Sequence, residues 1–521
     1  MPVQNPGVSS LFALHNLHKT QRTMSESIER LSSGKRINHA GDDAAGGAIA
    51  DRMTAQIKGL NMSVRNASDV LSMAQVAEGA LDESSKVLQR IRELAIQSAS
   101  DLMNGEERLY LQTEANQLIA ELDRVARDTT FNEIAVLDGT FADRRFQIGS
   151  KEREAATVSI GNLRTTAIGN NTVRTTATAG TSTDNNATAV SLGSADTIAD
   201  EDFTIHGLLG SKTIDVVAGS TARDVAEAIN IQFDQTGVSS TASTNMKIQA
   251  KGTAGSATLS IGLKGKNSTV RTVSAGITLA AAVGSSDLTG LSNAINAYSA
   301  ETGIVAVLSA DKATVYLTQD EGYNIALSDL DFADTTDDSR DLQVTGMDAR
   351  LFDADGSELL SGSAKTMTDT SHSSGSGKDA IVGGQVMMHS SHTFTATTTN
   401  TDGDLFESSP GSATLNTVSE LSLRTRSKAI DALKVVDKAL DKVHMERAKL
   451  GAVMSRMHQA IDNLTNVSAN TSSAKSRIVD ADMAAESAEL AKSQVLQQSA
   501  MAMIAQASRA QQSILTLLQG M

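Results

Sequence analysis

The sequence predicts a multidomain chain: mainly α-helical ends, with long coiled-coil-like helices from both termini plus one β-hairpin, around a β-rich α+β central outer region. Three observations predict it. Between Thr165 and Leu415 there are 29 Asp and Glu against 13 Lys and Arg, which is the whole net charge of −16, so both ends are neutral. Apolar residues recur at helical spacing in the ends and in short alternations in the middle. Prolines occur only at Pro2, Pro6 and Pro410, so long helices can run without interruption. Neutral ends can pack against copies of themselves, while acidic middles repel one another and stay solvated. At 521 residues, roughly three or four domains are expected.

Residues 9–33 predict a first helix. Leu14, Leu17, Met24, Ile28 and Leu31 fall on alternating three- and four-residue steps, with Gln21 in the one polar seam position. This is the a/d stripe of a coiled coil, and its narrowness favours a partner helix. Ser32-Ser33-Gly34 ends the helix, and a loop through Asp42-Asp43 leads to a long helix from about Ala44 to Ala99. A further helix, from about Gly105 to Arg127, aligns Leu111, Leu118, Leu122 and Val125. Phe146–Ile148 and Thr157–Ile160 predict the two strands of a hairpin.

The middle opens with TTATAGTSTDNNATA and closes with SHSSGSGKDAIVGG, two low-complexity stretches expected to be loops. Between them lies a repeat. Ala228-Ile229-Asn230 with Thr236-Gly237 recurs, 66 residues on, as Ala294-Ile295-Asn296 with Thr302-Gly303. Each copy runs into a strand-like stretch, Met246–Ala250 and Thr314–Thr318, so a short helix feeding a hairpin is the expected unit, used twice.

Helical spacing returns after Asn416. Ala429, Leu433, Val436, Leu440 and Val443 share one face, a break or bend is expected at Ala469-Asn470-Thr471, and a last helix spans about Asp480–Leu518. In it Leu490, Met501, Ile504, Leu515 and Leu518 lie on one side, with Ser499, Ala500, Ala505, Ala507 and Ala510 between them to admit close neighbours.

Much chemistry is excluded. Without cysteine there is no disulfide, thiolate metal site or cysteine nucleophile. No His-Glu-x-x-His, P-loop, dinucleotide fingerprint or nucleophile elbow occurs, so no enzyme and no cofactor is expected. His389 and His392, three apart in a Ser-rich stretch, are expected in a solvated loop rather than on a metal. The carboxylates from Asp329 to Asp355 lack the alternating ligands of a calcium loop. An acidic middle argues against nucleic acid. No apolar run is long enough for a membrane span, and the N-terminal residues do not resemble a cleaved secretory signal.

Several segments are recognisable. SIERLSSGKRINHAGDDAAGGAIADRM (Ser27–Met53) resembles the N-terminal signature of bacterial flagellins, and LQRIRELAIQSAS (Leu88–Ser100) a second one. Phe131-Asn132, Leu137-Asp138-Gly139 and Phe146–Gly149 are similar to the family's junction between helix and hairpin. SRIVDADMAAE (Ser476–Glu486) and QVLQQSAMAMIAQA (Gln494–Ala507) resemble its C-terminal signature, although Met483 stands where many relatives carry an aromatic residue. The 66-residue repeat resembles a small module of the outer part of some flagellins and hook-associated proteins.

The resemblance implies a subunit of the flagellar filament used for swimming motility. Residues 1–43 with 476–521 would form an inner coiled-coil domain, 44–175 with 410–475 a helical shell carrying the hairpin, and 176–409 an outer surface-exposed region. It implies a homopolymer of many copies and unfolded export to the extracellular filament. It implies, as partners, an export chaperone at the C-terminal helix, hook-associated and cap proteins, and a vertebrate innate immune receptor. For the receptor, the family's Arg, Leu and Glu match Arg90, Leu94 and Glu114, with Gln89 and Gln97 beside them. Two alternatives stand: a flagellin-like protein of the hook–filament junction, and a secreted adhesin that binds through its middle. The middle itself has three open readings: a solvated spacer, a contact between outer domains, or a target for O-linked sugars.

Overall fold

In the computed structural model the described residues are 8–175, 202–217, 220–332, 340–352, 358–360, 365–368, 380–398 and 411–519. The helices in chain order are α1 (Val8–Ser33), α2 (Ala44–Ser98), α3 (Gly105–Asp128), α4 (Ala222–Ile231), α5 (Phe233–Thr236), α6 (Thr289–Asn296), α7 (Ser299–Thr302), α8 (Arg426–Val479) and α9 (Met483–Gln519). Long helices at both ends and many strands in the middle are the architecture expected from the sequence. Contacts divide the chain into two compact units, residues 1–78, 141–160 and 448–521, and residues 79–140 and 161–447.

In the first unit α1 and α9 lie side by side. Gly34, at φ +68°, takes the left-handed turn that ends α1, donating its N–H to the Arg30 carbonyl at 2.8 Å. The chain then pairs with the junction between α8 and α9. Arg36 N–H donates to Val479 O at 2.6 Å, Ala481 N–H to Gly34 O at 3.0 Å, and the Arg36 guanidinium to Ile478 O at 2.7 Å. Asp42 folds the following loop, accepting from the backbone N–H groups of Asn38 and His39, each at 2.8 Å. The His39 bond, ahead of the Asn38 bond, holds the carboxyl below its usual range. The hairpin pairs Arg144–Gln147 antiparallel with Ala155–Val158, as the alternation predicts. It is tied to α2 where Asn66 donates to Gln147 O at 2.9 Å. A Cβ on Gly59 of α2 would come within 3.2 Å of Ser150 at the hairpin tip, so glycine permits that approach.

The expected break at Ala469-Asn470-Thr471 is absent, for α8 runs through to Val479. No proline or turn chemistry interrupts it there, and Thr471 returns its hydroxyl to Val467 O at 2.7 Å, as an exposed helical threonine does. The break comes instead at Asp480–Asp482. There the Asp482 carboxylate accepts the N–H groups of Ala484 and Ala485 at 3.0 and 3.2 Å and caps α9.

The second unit contains a helical core and a strand-rich part. Leu81, Leu88, Ile91 and Leu94 from α2 are buried with Ile119, Leu122 and Val125 from α3 and Ala432, Val436 and Val443 from α8. A capping box starts α3. Asn104 accepts from Glu107 N–H and Glu107 accepts from Asn104 N–H, both at 2.9 Å. Antiparallel pairing of α2 and α8 is marked by Arg92–Asp437 at 2.6 Å and Asp82–Arg447 at 3.3 Å.

The strand-rich part has two apolar cores, one around Phe203, Val225, Ile229 and Met388, the other around Leu259, Leu291, Leu317 and Phe332. The repeat is a structural duplication. In the first copy Asn230 accepts from Ser240 N–H at 2.8 Å and donates to Ser240 O at 3.0 Å. In the second, Asn296 accepts from Ala306 N–H and donates to Ala306 O, both at 2.8 Å. Gly237 and Gly303 both sit at φ +72°. Thr236 and Thr302 each donate four residues back at 3.0 Å and accept a backbone N–H two residues on at 3.2 Å. Each copy is a hairpin, a helix, a one-turn helix and a strand. The hairpins are Phe203–His206 with Ser211–Ile214, and Gly255–Lys264 with Arg271–Leu279.

Most of the opening low-complexity stretch lies outside the described residues, as do residues 371–379 of the closing one. Its Ala380–Val382 is a buried strand rather than loop. His389 is also in a strand, Gln385–Ser390, and is 4% exposed, which corrects the solvated-loop expectation.

Candidate functional site

A helix with a heptad repeat can offer two neighbouring stripes, and α1 divides its residues between them. Beside α9, Ser27 is buried and Ala13, Leu17, Thr20, Met24 and Leu31 are half-buried. The expected stripe of Leu14, Leu17, Gln21, Met24, Ile28 and Leu31 shares only its second row with that set. The other row is replaced by the small Ala13, Thr20 and Ser27. Small residues let the helix axes approach, and they leave Leu14 and Ile28 47% and 48% exposed beside exposed Leu11 and Phe12.

On α9 the face towards α1 is Glu486, Leu490, Ser493, Gln497, Ala500 and Ile504, with Ser493 buried and the others half-buried. Arg30 and Glu486 close its start with an ion pair at 3.1 Å. Leu490 and Ile504 thus lie in the pair, whereas Met501 points away with Val495, Leu496 and Met503. The backbone is helical through Leu515 and Leu518, whose side chains lie outside the described residues. Among the described residues, nine large apolar side chains of α1 and α9 remain exposed in the lone chain. At half burial remaining, each holds on the order of 1 kcal/mol of transfer free energy, hence roughly 9 kcal/mol gross per chain before association costs.

The five residues expected to form a receptor patch separate. Arg90 reaches Glu114 at 2.7 Å and Glu93 at 2.9 Å on an exposed surface where Gln89 and Gln97 also stand. Leu94 is 1% exposed and belongs to the helical core. The i, i+4, i+7 spacing put Arg90, Leu94 and Gln97 on one face, but the middle of it, Leu94, is buried.

Among the described residues no cluster of His, Asp or Glu has metal-ligand geometry, and no helix is long and apolar enough to cross a membrane. A cleft of about 410 Å³ between α8 and the strands holds His389. Both ring nitrogens are engaged, Nδ1 with the Asn170 amide at 2.8 Å and Nε2 with the Thr241 hydroxyl at 3.1 Å. Burial above all, then Lys434 and Lys438, lowers the imidazole to about 3, so it stays neutral at physiological pH.

Two family models, the bacterial flagellin N-terminal helical region and C-terminal helical region, match residues 5–142 and 433–518. The B-type flagellin of Pseudomonas aeruginosa is 35% identical over 99% of both chains. The chain belongs to the bacterial flagellin family. The flagellin of Salmonella typhimurium is 31% identical, again over 99% of both. A third model, the flagellin hook IN motif, covers residues 202–254, which is the first copy of the duplication. The junction protein FlgL from Legionella pneumophila aligns over 82% of this flagellin and all of its own length, at 11% identity and TM-score 0.31, too distant a superposition to bear on function. This flagellin is therefore a structural filament protein of the bacterial flagellum and not an enzyme.

Proposed function

We propose that this flagellin polymerises through α1 and α9, whose exposed apolar side chains are buried by neighbouring copies. The observation that carries the reading is the split of α1 into two rows. Small residues serve the partner within the chain, and Leu14 and Ile28 are left for another. Residues 1–43 with 476–521 then form the inner tube, 44–175 with 410–475 the shell, and 176–409 the outer surface. The neutral ends and acidic middle favour that radial order. Export to the cell exterior, a chaperone on α9, and hook-associated and cap proteins at the filament's ends belong to the same reading. The surface of Gln89, Arg90, Gln97 and Glu114, with Leu94 as its buried support, is the site for a vertebrate innate immune receptor.

Seeded assembly followed by negative-stain electron microscopy tests the core of this, comparing the whole chain with one lacking Ser476–Met521. Long tubes from the first and none from the second are expected. Assembly that stops after one layer would indicate a junction protein, and tubes from the truncated chain would sink the role of α9.

A further inference from the structure

The break between α8 and α9 contains no helix breaker. Residues 452–519 include neither glycine nor proline, and the stretch Ser476–Glu486 reads SRIVDADMAAE. None of those residues carries the penalty that glycine or proline brings to a helix interior. By intrinsic propensity alone the chain is expected to continue from α8 directly into α9. What stops it lies elsewhere in the sequence.

A continuous helix would bond each N–H to the carbonyl four residues back. Across the break, Ala481 would donate to Arg477, Asp482 to Ile478 and Met483 to Val479. One group of each pair is taken instead by the segment Gly34–Arg36. The Ala481 N–H goes to Gly34 O at 3.0 Å, and one N–H cannot serve both carbonyls. The Ile478 carbonyl accepts from the Arg36 guanidinium at 2.7 Å, and the Val479 carbonyl from the Arg36 N–H at 2.6 Å. Lys35 faces Asp480 in the short antiparallel bridge that results. The next two helical bonds, from Ala484 to Asp480 and from Ala485 to Ala481, are replaced by the Asp482 carboxylate, which accepts both N–H groups. On either side the helical pattern is regular. Asp480 N–H donates to Ser476 O and Glu486 N–H to Asp482 O, each at 2.9 Å.

We propose that Gly34–Arg36 imposes the break, and that with this segment undocked α8 and α9 join into one continuous helix. Arg36 is the positioning residue. It supplies two of the three competing bonds, and its guanidinium satisfies a carbonyl at the C-terminal end of α8. Asp43 stands 3.8 Å from that guanidinium and helps to hold it at the junction. The two ends of the chain therefore depend on one another. α9 leaves the line of α8 and takes its place beside α1 only when the residues that follow α1 have opened the helix. The inference goes beyond the polymerisation reading and does not depend on it, since every group involved belongs to one chain.

The absence of cysteine allows two spin labels to be placed at will. Ser473 on α8 and Ser487 on α9 are both exposed. In a continuous helix their Cα atoms would stand about 21 Å apart, at about 1.5 Å per residue. Pulsed electron double resonance on the full chain carrying S473C/S487C reads the distance. Adding R36P deletes both the N–H and the guanidinium of residue 36, and the distance is expected to move from the parent's value to a narrow peak at the straight-helix spacing. R36A, which deletes the guanidinium alone and leaves the loop backbone free to fold, is expected to show both distances. M483P supplies the control. Proline is tolerated at the first position of a helix, where Met483 stands in α9, and not in the interior, where it would stand in the joined helix. In the R36P background M483P is therefore expected to restore the parent's distance. An unchanged distance in R36P would overturn the proposal, and so would a broad distribution without the straight-helix peak, which would show the junction unravelling instead of joining. A straight-helix peak that survives M483P, or one already present in the parent, would contradict it equally.

Discussion

Replacing Leu14 and Ile28 together by glutamine separates assembly from folding. Glutamine is a good helix former, so α1 keeps its intrinsic propensity. Both side chains are already about half exposed in the monomer, at 47% and 48%, and exposed sites of this kind shift stability by no more than about 0.5 kcal/mol. Burial of the remaining half in the filament is worth roughly 1 kcal/mol at each residue, so the pair removes about 2 kcal/mol of subunit binding. At about 1.4 kcal/mol per decade the critical concentration for seeded growth rises about 30-fold. Sedimentation of filaments over a dilution series measures that concentration, and thermal circular dichroism of the monomer serves as control. A critical concentration within about threefold of the parent's, with an unchanged monomer, would refute the argument that Leu14 and Ile28 form the outer row of the seam.

Other expectations follow from the same structure. Asn230→Ala and Asn296→Ala each leave a backbone N–H and carbonyl without their clamp, and each is expected to destabilise the strand-rich part by about 1–3 kcal/mol in calorimetry; a large cost at one site and none at the other would show that the copies are not equivalent. His389 is held near 3, well below its ordinary 6.5, so below about 6.5 the unfolded chain binds a proton that the folded one refuses. Stability is thus full above that pH and falls as pH drops towards 3, and His389→Gln should flatten this slope in acid melts. Glu114→Ala breaks an ion pair that stands in solvent and is screened there, so melting should barely move. A cell reporter of the immune receptor should nevertheless lose response to it if Arg90 and Glu114 form the recognised surface.

The sequence carried long helices most clearly, because apolar periodicity over many turns is a strong signal and proline is absent where it would break them. The boundaries of α1, α2 and α3 fall within a residue or two of expectation. What failed was local. Ala469-Asn470-Thr471 looks like a break, yet its polar side chains face solvent along α8 and cost the helix little. The break that does occur coincides with the expected start of the last helix at about Asp480, where Asp482 supplies the cap. His389 lay in a Ser-rich stretch whose composition suggests loop, and only pairing with a distant strand buries it. The a/d stripe of α1 was visible, but not which of its two rows the chain's own helix would take. That choice depends on Ser27, Thr20 and Ala13 being small, a packing matter that periodicity does not encode. Leu94 shows the same limit, since spacing places it on a helix face without saying that other helices cover it.

The most direct test of the account is a cryo-electron microscopy reconstruction of the assembled filament at side-chain detail. The account predicts that Leu14 and Ile28 of one subunit, and Met501 of α9, are packed against helices of neighbouring copies, while Ser27 and Ser493 remain between α1 and α9 of the same chain. A filament in which Leu14 and Ile28 face solvent, with subunits held by other surfaces, would contradict it.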